Sequence, residues 1–166
     1  PEASRRMVEA VDAAREEGDS LGGVFEVVAF GLPAGMGSYA HWDRRLDARL
    51  AGVLMSIQAV KAVEIGDGIA VAAKTGSQVN DPISEAGFEK NSAGGVLAGI
   101  STGQDLIARV YCKPIPSVSL PQQTVDTKGR SRTVAIEGRH DICVIPRIVP
   151  VCEAMVCLVL ADFLLA

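Results

Sequence analysis

Residues 149–166 constrain the fold more than any other stretch of the chain. Written as a helix, this segment is apolar on nearly every side, with only Glu153 and Asp162 charged. Such a helix has to be covered on most of its faces. Its two carboxylates, and a length near the lower limit for crossing a bilayer, favour a buried helix over a membrane span. The chain must therefore supply layers for this helix to sit among.

The preceding segments read as those layers. Ser4 can cap a helix running to about Glu17, with Met7, Val8, Val11 and Ala14 on one face and Gly18 as its stop. Residues 22–31 are β-branched and aromatic, which predicts a strand. A glycine-rich loop follows at 31–37, and Asp43 is placed to cap a second helix bearing Leu46, Leu50, Val53, Leu54 and Ile57. Residues 59–74 suggest two strands around Gly66-Asp67-Gly68, and 76–94 a long polar loop. Residues 95–101 and 106–112 suggest a hairpin turning at Thr102-Gly103. Lys113-Pro-Ile-Pro-Ser117 must be extended, since proline fixes φ and lacks an amide donor. A turn at 127–130 precedes a strand at 133–137. Strands and helices mix without strict alternation, so the expected class is α+β, with helices layered on sheets in one domain spanning 1–166.

Several functions are disfavoured. A net charge of −4 and 4% aromatic residues argue against a nucleic-acid partner. Four cysteines without a Cys-x-x-Cys pair, and only two histidines, argue against a structural metal site. Cys143, Cys152 and Cys157 lie in apolar surroundings and read as small core residues of a reduced, cytoplasmic protein. The N-terminus shows no secretory leader, and no membrane association is expected.

Four places could carry chemistry. The 31–37 loop joins a strand to a helix but matches neither nucleotide-binding glycine pattern, so a tight structural loop competes with an anion cradle. Asn91-Ser-Ala-Gly-Gly95 would let a ligand or another backbone approach closely. Lys113–Ser117 offers a cation and a hydroxyl on a rigid segment. In Gly138-Arg139-His140-Asp141, an extended backbone would put Arg139 and Asp141 on one face and His140 on the other. That pair suits a charged ligand or a plain salt-bridged strand end. His41 and the run Arg44, Arg45 and Arg49 read more simply as structural and solvated.

Taken in order, Gly31-Leu-Pro-Ala-Gly-Met-Gly-Ser38, Asp43-Arg-Arg-Leu-Asp-Ala-Arg-Leu50, Met55-Ser-Ile-Gln-Ala-Val-Lys61, Val63-Glu-Ile-Gly-Asp-Gly68, Asn91-Ser-Ala-Gly-Gly95, Lys113-Pro-Ile-Pro-Ser117 and Gly138-Arg-His-Asp-Ile-Cys143 with Glu153-Ala-Met155 resemble the C-terminal half of the chorismate synthase family. The resemblance implies a β-α-β sandwich and a homotetramer. It also implies a carbon–oxygen lyase that uses reduced FMN to convert 5-enolpyruvylshikimate 3-phosphate to chorismate and phosphate, in the shikimate pathway of aromatic amino acid biosynthesis. Some members of the family also reduce their flavin with NADPH.

Residue by residue, Asp141 matches the aspartate that assists proton transfer at the flavin, and Arg139 a flavin-site arginine. Lys113, Pro114, Ile115, Pro116 and Ser117 match a flavin-contacting segment, Gln58 and Ala59 a second contact, and Ala98 a small residue against the cofactor. The family's catalytic histidine motifs and substrate-phosphate arginines have no counterpart, and neither His41 nor His140 replaces them. The chain is therefore expected to be part of a longer enzyme and inactive alone. The other reading is a non-catalytic flavin-binding or oligomerisation module.

Overall fold

The computed structural model describes residues 2–165; Pro1 and Ala166, the ends of the expected domain, lie outside them. In order, the chain forms α1 (Glu2–Glu16), β1 (Gly23–Ala29), α2 (Leu46–Met55), β2 (Val60–Ile65), α3 (Gly76–Val79), β3 (Ile83–Ser84), β4 (Gly87–Phe88), β5 (Val96–Leu97), β6 (Ile100–Ser101), β7 (Leu106–Cys112), β8 (Gln122–Val125), β9 (Ser131–Val134) and α4 (Ile145–Leu165). Short 3-10 helices sit at Trp42–Arg44 and Gly68–Ala73.

The main sheet has the order β1-β7-β2 and is antiparallel throughout. Along β7, Leu106, Ala108, Val110 and Cys112 are buried, alternating with Ile107, Arg109 and Tyr111 on the other face. This period-two burial is that of a sheet covered on one side. The cover is α2, whose Leu46, Leu50 and Leu54 are fully buried, and one stripe of α4, formed by Ile148, Cys152, Val156 and Val159. The α+β class is observed. Of the expected β-α-β sandwich, the described residues build one three-stranded sheet with a helix layer on it, and three two-stranded ribbons besides.

The uncovered sheet face carries an ion network rather than apolar packing. Arg109 on β7 reaches Glu26 on β1 at 2.6 Å and Glu64 on β2 at 2.8 Å. Tyr111 donates its hydroxyl to Glu64 at 2.8 Å. That hydrogen bond, with help from Arg109, holds the Glu64 carboxyl below its ordinary range.

Several expected elements differ. The first helix starts at Glu2, so Ser4 lies inside it. Arg5 links Glu2 and Glu9 at 2.7 Å each, a one-face charge ladder with an acidic first turn. Its stop is as expected: Gly18 has φ +73°, Gly18 N–H bonds Arg15 O, and Asp19 N–H bonds Ala14 O, a Schellman ending. Of its anticipated apolar face only Ala14 is buried, while Met7 and Val8 are exposed.

Asp43 does not cap α2. It lies in the 3-10 turn, and Leu46 N–H is satisfied instead by the Gly99 carbonyl at 2.9 Å. Residues 68–73 are a 3-10 helix rather than a strand, because Asp67 accepts Ala70 N–H and binds Lys74 at 2.6 Å, closing the segment locally. Within 76–94, Thr75 and Gln78 form a capping box for α3, and β3 pairs with β4.

The expected 95–101/106–112 hairpin is replaced by a smaller one, β5-β6. Ala98 and Gly99 both have positive φ (52° and 85°), the signature of a two-residue I′ turn, and β7 is already paired on both edges. The final strand runs Ser131–Val134 and pairs with β8 around a turn held by Asp126. Helix α4 begins at Ile145, ahead of the apolar run expected from residue 149. It is not covered on most sides: Leu158, Leu164 and Leu165 are exposed. It is long and apolar enough to cross a bilayer, yet its buried stripe packs into the core against α2 and β1.

Candidate functional site

Three distant segments meet at the end of the sheet where β1 and β2 begin and β7 ends. The first is the α1 terminus with Asp19, Ser20 and Leu21. The second is the extended run after Cys112. The third is residues 138–143. Ser20 donates its hydroxyl to Ile115 O at 2.6 Å, Ser119 N–H donates to Gly18 O at 3.0 Å, and Leu21 N–H donates to Ile142 O at 2.7 Å. Ser20 itself is buried, so this polar link lies inside the structure. Gly22 makes the approach possible, since a Cβ there would overlap the Cys112 carbonyl oxygen and crowd Pro114.

Between these segments lies a cleft of about 280 Å³, with Arg15, Asp19, Ser117, Arg139, His140 and Asp141 among its walls. A larger apolar groove continues from it, with α1 residues Met7, Val8 and Val11 on one side and Leu21, Val24, Ile142 and Ile145 on the other. Arg139, His140 and Asp141 border both.

The cleft brings together Ser117, Arg139 and Asp141, with Lys113, Pro114, Ile115 and Pro116 leading into it. As expected, Lys113–Ser117 is not helical; it forms no strand either. Ala59 joins this end of the sheet: it adopts φ +74° in the turn after α2, and its carbonyl accepts Lys113 N–H at 2.9 Å. Gln58 is exposed beside it. Ala98 stands apart, in the β5-β6 turn against the opposite end of α2. The ten residues of α2 span roughly 15 Å.

Residues 139 and 140 form no strand, and the ion pair imagined within the Arg-His-Asp run is not made. Asp141 instead faces Arg147, on the first turn of α4, at 3.1 Å. Arg139 has no carboxylate partner among the described residues. The His140 ring lies over Gly138, with its Nε2 buried and lacking a hydrogen-bond partner.

The other candidate loops spend their amides internally. Ser101 Oγ accepts Met36 N–H and donates to Pro33 O, and Gly35 N–H bonds Ser101 O, so the 31–37 loop is pinned from within. In 91–95, Asp81 accepts Ser92 and Ala93 N–H, and the Asn91 side chain accepts Gly95 N–H. Arg49 bridges α2 to α4 through Asp162 at 2.7 Å and lies over the Phe163 ring. Among the described residues no group of three His, Cys, Asp or Glu side chains could hold a metal ion.

Sequence reasoning missed Arg15, Ser20 and Arg147. The run Gly18-Asp-Ser-Leu-Gly-Gly23, small and polar between a helix and a strand, was the available signal for Ser20. Nothing local marked Arg147.

A family model described as Chorismate synthase matches residues 1–165. A protein of Syntrophobacter fumaroxidans named chorismate synthase is 60% identical over 163 residues, covering 98% of this chain and 46% of its own length. One of that name from Acidothermus cellulolyticus is 51% identical over 170 residues, covering 99% and 43%. A solved structure titled as a crystal structure of chorismate synthase superposes with a TM-score of 0.79 at 39% identity, over 99% of this chain and 43% of its own. The chain thus spans less than half the length of the curated relatives it matches.

Proposed function

This chain belongs to the chorismate synthase family, and on that footing we propose that it forms the C-terminal, cofactor-holding half of an enzyme converting 5-enolpyruvylshikimate 3-phosphate to chorismate and phosphate. The observation that carries the reading is the cleft at the sheet end. It gathers a guanidinium without a carboxylate partner among the described residues, a hydroxyl and a carboxylate beside a rigid Pro-Ile-Pro segment. That donor set suits a planar, polar, anionic group, which is what reduced FMN presents.

Arg139 would hold negative charge on the cofactor or on a departing phosphate, a charge-assisted contact available because no carboxylate already neutralises it. Ser117 and the backbone of Lys113–Pro116 would orient the polar edge of the ring system. Ala59 would act through its carbonyl, which fixes Lys113. Asp141 would hold or release a proton at its carboxylate oxygens while Arg147 keeps it in place. When bound, reduced FMN supplies electron density transiently and is restored, so the reaction has no net redox change. In the overall elimination the C–O bond to phosphate breaks with its electron pair, a proton leaves C6, and a new C=C bond forms.

The groups that grip the substrate phosphate would come from the remainder of the enzyme, so this chain alone binds the cofactor and does not turn over. Anaerobic titration with reduced FMN tests the cleft. Arg139→Ala is expected to weaken binding about tenfold or more, the loss of one charge-assisted hydrogen bond. Unchanged affinity sinks the assignment, and chorismate formation by the purified 166-residue chain refutes its inactivity. A cytoplasmic setting and a homotetramer complete the proposal.

A further inference from the structure

The Arg-His-Asp run places a cation and an anion two residues apart, yet the structure separates their partners. Asp141 takes its cation from α4, where Arg147 approaches at 3.1 Å, and Arg139 stays on the cleft wall without a carboxylate. We propose that Arg147 is a positioning residue for Asp141: it holds the carboxylate toward the cleft and thereby leaves Arg139 available to the bound anion. The inference rests on the cofactor-site reading of Asp141 given above.

The two ends of the pair differ in firmness. Asp141 lies outside regular secondary structure, between Gly138 and the start of α4. Arg147 rises from a fixed base. Its N–H bonds Val144 O at 3.0 Å, its neighbour Ile148 is in the core, and Ile145 packs so closely on Gly23 that a Cβ there would collide with it. A carboxylate on an irregular segment needs such an anchor to keep one orientation.

The surrounding charges leave little alternative. Arg15 on the facing wall is held by Asp12 at 2.6 Å, Asp19 repels a second carboxylate, and His140 is turned onto Gly138. Were Arg139 to pair with Asp141, the two charges would cancel, and Arg15, already engaged by Asp12, would be the only guanidinium left on the cleft wall. The guanidinium of Arg147 can also grip a carboxylate at two points, which an ammonium cannot.

The test is a double-mutant cycle in the full-length protein that carries this segment. Affinity for reduced FMN is measured anaerobically for the parent, Arg147→Gln, Arg147→Lys, Asp141→Asn and the combined Asp141→Asn/Arg147→Gln variant. Arg147 is 70% exposed, so its replacement is expected to leave the melting temperature unchanged. Arg147→Gln should weaken binding about two- to fivefold, the range of an exposed ion pair. Arg147→Lys should recover part of that loss, and the combined variant should bind no worse than Asp141→Asn alone. Losses that multiply in the combined variant overturn the inference while leaving Asp141 in the site, since Arg147 then acts without it. An Asp141→Asn variant that binds like the parent overturns the positioning role, since Asp141 then contributes nothing to cofactor affinity for Arg147 to act through. Undiminished binding by Arg147→Gln overturns the positioning role alone.

Discussion

Glu64 shows how one side chain can tie local chemistry to the whole sheet. It accepts hydrogen bonds from Tyr111 and Arg109, and its carboxyl is held below the ordinary value of 4.5. A carboxyl lowered in the folded state contributes stability that is complete above its unfolded value and lost as pH falls through the folded one. Glu64→Gln is therefore expected to cost about 1 kcal/mol near neutrality, with the gap to the parent closing in acid, below the ordinary carboxylate range. Urea unfolding near neutrality and in acid checks this, and a gap independent of pH would contradict it. The same scale explains what the sequence revealed of the cleft. Lys113–Ser117 stands out because two prolines allow nothing but extension, and Arg139 and Asp141 because so much charge is packed into so few residues. Ala59 is invisible to that reasoning: its contribution is a positive φ and a carbonyl aimed at Lys113, which no residue type announces. Arg147 hides because its partner lies across a bend.

At the level of secondary structure, the strongly periodic segments were legible and the locally satisfied ones were not. The stripe Leu46, Leu50 and Leu54 on α2 is buried as its spacing requires. Leu50→Ala is expected to cost about 2–5 kcal/mol, transfer and cavity combined, and chemical unfolding with an unchanged m-value would confirm it. Residues 68–73 carry the same apolar alternation as a strand but have Asp67 and Lys74 to close a 3-10 turn instead. Periodicity reports which residues want burial and is silent on the local backbone hydrogen bonds and ion pairs that can close a segment first. The 95–101 segment misled for a topological reason, since β7 had no free edge to offer it. The small β5-β6 turn that resulted carries Ala98 away from Gln58 and Lys113.

For the molecule as a whole, the outstanding feature is that α4 is only half used. Leu158 is 64% exposed and Leu165 88% exposed, on a helix whose other side forms the core. Apolar surface of that kind favours self-association. The isolated chain should therefore associate with rising concentration, and Leu158→Glu with Leu165→Glu should shift it toward monomer without lowering its melting temperature, as light scattering after size exclusion would report. A second consequence concerns time rather than shape. β1 and β2 never touch each other; each pairs only with β7, which enters between them from later in the chain. A ribosome making this protein emits β1, α2 and β2 before β7, the strand with which both of them pair. The sheet can close only once Cys112 has cleared the exit tunnel, and the cleft later still, when Ile142 arrives to meet Leu21. Synthesis thus leaves a long interval in which two unpaired strand edges must be kept from other chains.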